Sequence, residues 1–136
     1  MKRQIIFRGK SETGEWVFGD LEYRRISNVA IIHSYQNDGR ALYRGQTQVQ
    51  NKTIGQFTGL HDMTGKEIYE GDIVQMNTIT GGTYYVAFEE SHIGAFALCN
   101  ENGFIGVFGR DADFEPFYCE VIGNIYDDPN ILKIEY

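Results

Sequence analysis

Asp62, Glu67, Glu70 and Asp72 fall within eleven consecutive residues, beside His61. Carboxylates and an imidazole at that density can exchange protons with a substrate or ligate a divalent cation, since each offers lone pairs and a pKa that its surroundings can move. The same run, Ile54 to Val74, is also dense in turn chemistry. Asp62-Met63-Thr64-Gly65-Lys66 has the form of a turn in which Asp62 caps free backbone amides and Gly65 supplies positive φ. Glu70-Gly71-Asp72 makes a second turn that feeds the apolar start Ile73-Val74. The residue types favour this second reading. It makes Thr58, Gly59, Asp62, Gly65, Glu67, Tyr69, Glu70, Gly71 and Asp72 a structural motif and assigns no catalytic residue. An EF-hand loop does not fit, because the alternating oxygen ligands and the closing Glu miss their offsets.

Other chemistry has thinner support. Zinc would need ligands from Cys99, Cys119, His33, His61 and His92, but no two thiols stand at metal-clip spacing, so no metal or cofactor is expected. Cys99 or Cys119 could meet His92 only through the fold, as triad partners do, and both thiols read more simply as small apolar strand residues. No Gly-x-Ser-x-Gly elbow, phosphate-cradling loop or dinucleotide fingerprint occurs. Cations lie beside aromatics at Phe7-Arg8, Tyr23-Arg24-Arg25 and Tyr43-Arg44, with Lys10 close by, a pattern suited to stacking single-stranded nucleic acid. Arg8, Lys10, Arg24, Arg25 and Arg44 are therefore the candidate nucleic-acid contacts. A net charge of −7 opposes them, since the average field repels phosphate.

The elements that must carry these groups read as strands. Sixteen glycines and two prolines punctuate short β-rich runs. Gln4–Arg8, Glu15–Tyr23 and Asn28–Tyr35 are the first three, with a bend expected at Gly19 and a tight turn at Gln36-Asn37-Asp38-Gly39. Gly45–Lys52 is polar at nearly every position, which marks a loop or an exposed edge strand and a boundary between residues 1–52 and 53–136. From Asp72 onward five strands are predicted, over 72–79, 83–88, 94–99, 104–108 and 120–126, with a Gly81-Gly82 pair suited to a two-residue hairpin and a join through Asn100-Glu101-Asn102-Gly103, whose Asn-Gly is a strong hairpin signal. Five short strands in about 60 residues fit a small SH3-like or partly open β-barrel packed with the N-terminal β-rich subregion, which may form one continuous domain with it. Gly109–Pro116 holds at most a helical turn.

Composition bounds the rest. At 136 residues, with 42% hydrophobic and 14% aromatic content, the chain can bury a core of its own. Two cysteines are too few for a disulfide scaffold, and no apolar run is long enough for a signal peptide or a membrane span, so an intracellular location is expected, without membrane association. Unpaired strand edges rich in Tyr and Phe favour self-association into a homo-oligomer.

Three blocks resemble the YopX family of phage and prophage proteins. They are Phe7-Arg8-Gly9-Lys10 with Glu15-Trp16-Val17-Phe18-Gly19-Asp20, the central Gly55–Asp62 through Gly71-Asp72-Ile73-Val74, and Val121-Ile122-Gly123-Asn124-Ile125-Tyr126 followed by Asp127-Asp128-Pro129. His61, Met63-Thr64 and the ending Asp128-Pro129-Asn130 depart from the usual pattern. The resemblance implies a largely β, oligomeric protein in the cytoplasm of a bacterial host. The family has no established activity, so no catalytic role is carried over. The expectation is a noncatalytic protein that acts by homo-oligomer assembly or by binding a protein partner. The alternatives are a nucleic-acid-associated accessory module and, third, an enzyme with a carboxylate/His site around residues 61–72.

Overall fold

A computed structural model describes residues 4–35, 43–79, 81–90, 94–109 and 116–133. The turn at 36–39, His92 and the loop at 110–115 lie outside the described residues. The chain is all-β: among the described residues, strands alternate with loops and short 3-10 turns, and the strands form two antiparallel sheets, neither closed into a barrel. Contacts divide the chain into two units, Met1–Phe57 and Thr58–Tyr136.

In the first unit, β1 (Phe7–Lys10), β2 (Trp16–Arg24), β3 (Val29–Tyr35) and β4 (Tyr43–Val49) are followed by a 3-10 turn at Asn51–Thr53 and the start of β5 (Gly55–His61). The lateral order is β4-β3-β2-β1-β5, so the polar segment from Gly45 is an edge strand. The two-residue period of β3 turns Ala30 and Ile32 into a core with Val49, and Phe7, Val17, Leu21 and Ile54 pack around it. Gly9 permits this, because a Cβ there would lie 2.7 Å from Val49 Cγ2. β2 is continuous through Gly19, whose Cα pairs with Phe7 on β1, and the next residue, Asp20, opens the pairing with His33 on β3. Thr53 ties the 3-10 turn to β1: its hydroxyl accepts from the Lys10 amide at 2.9 Å and donates to the Gln50 carbonyl at 2.7 Å.

The second unit holds the rest of β5, β6 (Glu67–Tyr69), β7 (Asp72–Met76), β8 (Thr83–Glu89), β9 (Ala95–Asn100), β10 (Gly103–Val107) and β11 (Cys119–Asn124). The five strands from Asp72 onward form one sheet in the order β10-β9-β8-β7-β11. The strand number agrees with the sequence reading, but β7 ends at Met76 and not at 79, so the connection to β8 is longer than a two-residue Gly81-Gly82 hairpin, and the sheet stays open, with β10 and β11 at its edges, so an SH3-like closure is not seen. A bulge between Phe104 and Gly106, and a second between Val121 and Gly123, break the ladder at both edge strands. The β9–β10 turn runs through Asn100-Glu101-Asn102-Gly103 as expected, with Gly103 at φ 102° and paired with Asn100. The Asn100 side chain supports the turn, since it accepts from the Asn102 amide at 2.9 Å. The core gathers Ile68, Val74, Met76, Val86, Leu98, Phe108 and Cys119.

Candidate functional site

The acids of the central block lie on two turns of the second unit, and the turns direct two of them inward. Asp62 directly follows β5, and its backbone closes the turn to β6: its amide donates to the Lys66 carbonyl at 2.8 Å and its carbonyl accepts from the Gly65 amide at 2.9 Å. Gly65 is at φ 87°, the left-handed region that the turn needs. With the turn so fixed, Asp62 is only 5% exposed. Its Oδ1 accepts from the Thr64 amide at 2.8 Å, the Thr64 hydroxyl at 2.7 Å and the Lys66 amide at 2.9 Å. Oδ2 accepts from the Val121 amide on β11 at 2.9 Å, 59 residues along the chain. The Met63 amide reinforces this link by donating to the Cys119 carbonyl at 2.9 Å. Asp62 thus staples the β5–β6 turn to the last strand.

Electrostatics follow from that geometry. Burial acts to raise the Asp62 pKa, but the hydrogen bonds from Val121, Thr64 and Lys66 outweigh it and hold the carboxyl below its ordinary 3.8. A general acid or base at neutral pH would be shifted the other way. Asp72 is 2% exposed and accepts from the Tyr69 amide at 2.8 Å across the β6–β7 turn. Glu70-Gly71 forms that turn, with Gly71 at φ 94°. Gly71 donates to the Val86 carbonyl at 2.8 Å and accepts from the Ile125 amide at 2.9 Å. Thr58 donates to the Ile68 carbonyl at 2.8 Å and accepts from the Leu60 amide at 3.1 Å, spanning β5 and β6, and Gly59 sits between at φ 84°. Glu67 is half-buried and accepts from the buried Tyr69 hydroxyl at 3.4 Å. His61, Met63, Thr64, Gly65 and Lys66 are exposed. The block therefore forms a backbone brace: its buried carboxylates face amides, and its imidazole faces outward.

The thiols are equally enclosed. Cys99 and Cys119 are both buried and free. Burial, and then the Glu89 carboxylate, raise the Cys99 pKa. Burial, and then the Asp62 charge, push the Cys119 thiol up to about 12. At pH 7 the thiol is therefore held in its protonated, unreactive form. A thiol-disulfide reagent is accordingly expected to leave Cys119 unmodified in the folded protein and to react on unfolding in denaturant; rapid modification under native conditions would refute this environment. Among the described residues no three of His, Cys, Asp and Glu converge to hold a metal ion.

The candidate nucleic-acid residues all belong to the first unit. Arg8 is 7% exposed, its guanidinium carbon 4.7 Å from the Trp16 ring centroid, and Lys10 Nζ lies 5.9 Å from the same ring. Arg24 Nε donates to Glu22 Oε2 at 2.9 Å, so its charge is answered locally. Arg25 is exposed, on the β2–β3 turn. The Arg44 side chain lies outside the described residues.

Two features carry no signal in the residue types alone. Glu22 also accepts or shares a hydrogen bond with His33 Nε2 at 2.8 Å across the β2–β3 pair, and it lines a groove of about 530 Å³ with Ile5, Phe7, Asp20, Leu21 and His33. The second is the end of β11. There Asp128 Oδ2 accepts from the Asn124 amide at 3.2 Å and would stand 2.5 Å from any Cβ on Gly123. Asn124 Oδ1 in turn accepts from the Tyr126 and Asp127 amides at 3.0 and 2.9 Å. This gives Gly123-Asn124 followed by Asp127-Asp128 a structural reason.

The family model of the YopX protein matches residues 6–133. The chain belongs to the YopX family. All three blocks quoted from the sequence fall inside the match, and in this YopX-family chain each is accounted for by turn or packing geometry. No curated protein matches the chain. Among solved structures, the crystal structure of protein EF1440 from Enterococcus faecalis is similar, with a TM-score of 0.53 and 18% sequence identity, covering 95% of this chain and 98% of that one. At that identity the likeness shows the fold.

Proposed function

We propose that this YopX-family protein is a noncatalytic phage- or prophage-type protein of the bacterial cytoplasm that works through its surfaces, by assembly of its own copies or by binding a protein partner. One contrast carries the reading. The buried acids of the central block are turned into backbone amides, whereas Ile26 and Ile79, at hairpin tips, are 105% and 108% exposed. An isoleucine held wholly in water forgoes about 1.5–3 kcal/mol of burial that an interface would recover. No helix in the described residues is long and apolar enough to cross a membrane. The nucleic-acid reading draws less support, since Arg8 is buried and Arg24 is paired with Glu22.

Light scattering on the full chain at micromolar concentration tests the assembly reading. The expected mass is a fixed multiple of 15.5 kDa. A species of 15.5 kDa that persists as concentration rises would contradict it.

A further inference from the structure

We propose that Asn102 is a site of self-modification, at which the folded chain loses ammonia and becomes an aspartyl or isoaspartyl chain. The reactants are the protein's own backbone and water, and the inference stands apart from the assembly reading.

The reaction needs two neighbouring groups and room for them to meet. The backbone nitrogen of Gly103 gives its proton to base and attacks Cγ of the Asn102 carboxamide. A bond from nitrogen to Cγ forms, the bond from Cγ to Nδ2 breaks, and Nδ2 takes up a proton and leaves as ammonia. The product is a succinimide ring. Water then adds to one of its two carbonyls, and the ring opens to aspartate or to isoaspartate according to which is attacked.

Sequence and structure single out this asparagine. Asn102 is the one followed by glycine, whereas Asn28 precedes Val29, Asn51 precedes Lys52, Asn77 precedes Thr78, and Asn124 and Asn130 precede isoleucines. A side chain on the attacking residue crowds its nitrogen, and glycine has none. Gly103 is at φ 102° and, its chain neighbours apart, no described heavy atom lies within 4 Å of where a Cβ would stand. The Asn102 side chain is exposed, and its Nδ2 reaches Glu101 Oε1 only at 3.5 Å, a long contact that water replaces. Other asparagines are tied down. Asn124 Nδ2 donates to Asp127 at 3.0 Å while its Oδ1 accepts from two amides, and Asn28 Oδ1 accepts from the Tyr23 hydroxyl and from Asn51 Nδ2.

Ring closure turns the Asn102 backbone out of the hairpin, so the hairpin has to open. It is placed to do so. β10 is an edge strand, and its ladder to β9 breaks between Phe104 and Gly106, directly after the turn. The bond from the Asn102 amide to Asn100 Oδ1 lies on an exposed turn where water competes for it. Opening an edge of this kind costs far less than unfolding the core. The product adds a negative charge beside Glu101 and, in the isoaspartyl form, a methylene to the main chain of the turn that pairs Asn100 with Gly103.

Wild type and Asn102→Gln are to be held for days in warm, mildly alkaline buffer under native conditions, then compared by isoelectric focusing and peptide mass spectrometry. Glutamine keeps the carboxamide but carries it one methylene further from the Gly103 nitrogen, and at an exposed position it should melt with the wild type. The wild type is expected to gain a more acidic band, sooner at higher pH because base must remove the Gly103 proton. That band should map to the peptide holding Asn102 and accept labelled methyl groups from an isoaspartyl methyltransferase. Asn102→Gln should lose both signals. A wild type that gains no acidic band, a band that maps to another asparagine, or one that Asn102→Gln forms equally fast would overturn the proposal.

Discussion

Replacing Asp62 by Ala is expected to destabilise the second unit by roughly 3–4 kcal/mol, among the larger effects of a single substitution. The carboxylate serves four donors, and they do not suffer equally from its loss. Thr64 and Lys66 are exposed, so water can reach their amides. The Val121 amide is on a strand whose side chain packs against the core, and there a missing acceptor costs about 1–3 kcal/mol by itself. Asp62→Asn keeps the shape and one acceptor but turns an NH₂ toward one set of donors, so about 2–3 kcal/mol is expected. The pH dependence has a definite sign. A carboxyl whose pKa is lowered by folding contributes its full stabilisation above its ordinary 3.8 and loses it as pH falls through the lower, folded value. Urea melts of wild type and Asp62→Asn should therefore differ most near neutrality and converge as pH is taken below 3.8. Equal stability at pH 7 would show that the staple contributes nothing.

Gly19→Ala is expected to be at least as damaging in the first unit, about 4 kcal/mol or more, with loss of the folded β2–β3 pair as the extreme. A Cβ at Gly19 would lie 2.0 Å from the His33 carbonyl oxygen and 3.1 Å from Ser34 Cα. Both obstacles are backbone, so no side-chain rotation relieves them. β3 would have to move away at the register pair Asp20–His33, where β2 begins to pair with it. Gly45→Ala is the matched control: among the described residues, its chain neighbours apart, no heavy atom lies within 4 Å of its Cβ, and a change within about 0.5 kcal/mol is expected. Thermal unfolding followed by circular dichroism separates the two. A Gly19→Ala protein that melts with the wild type would refute the close approach.

Much of this was legible in short stretches of sequence because the interactions are local. Asp62 as a turn cap, Gly65 at positive φ and the five strands after Asp72 follow from neighbouring residue types and the two-residue period. Partners far along the chain were not legible. Nothing around Asp62 indicates that its second oxygen meets Val121, or that β11 lies beside β7 and leaves the sheet open, since both depend on which strands meet in space. The surroundings of the basic residues were not legible for a related reason. Arg8 and Trp16 are eight positions apart, but the antiparallel β1–β2 pair brings the Arg8 guanidinium over the Trp16 ring.

The pKa of Asp62 separates a structural carboxylate from a reactive one most directly. It can be followed by carbon-detected NMR of the side-chain carboxyl, together with the Val121 amide resonance. The expected result is a midpoint below 3.8, with the Val121 amide shifting at the same pH because it loses its charged acceptor. A midpoint at or above 3.8, or a Val121 amide that ignores the titration, would contradict the staple and return the central block to consideration as an acid-base site.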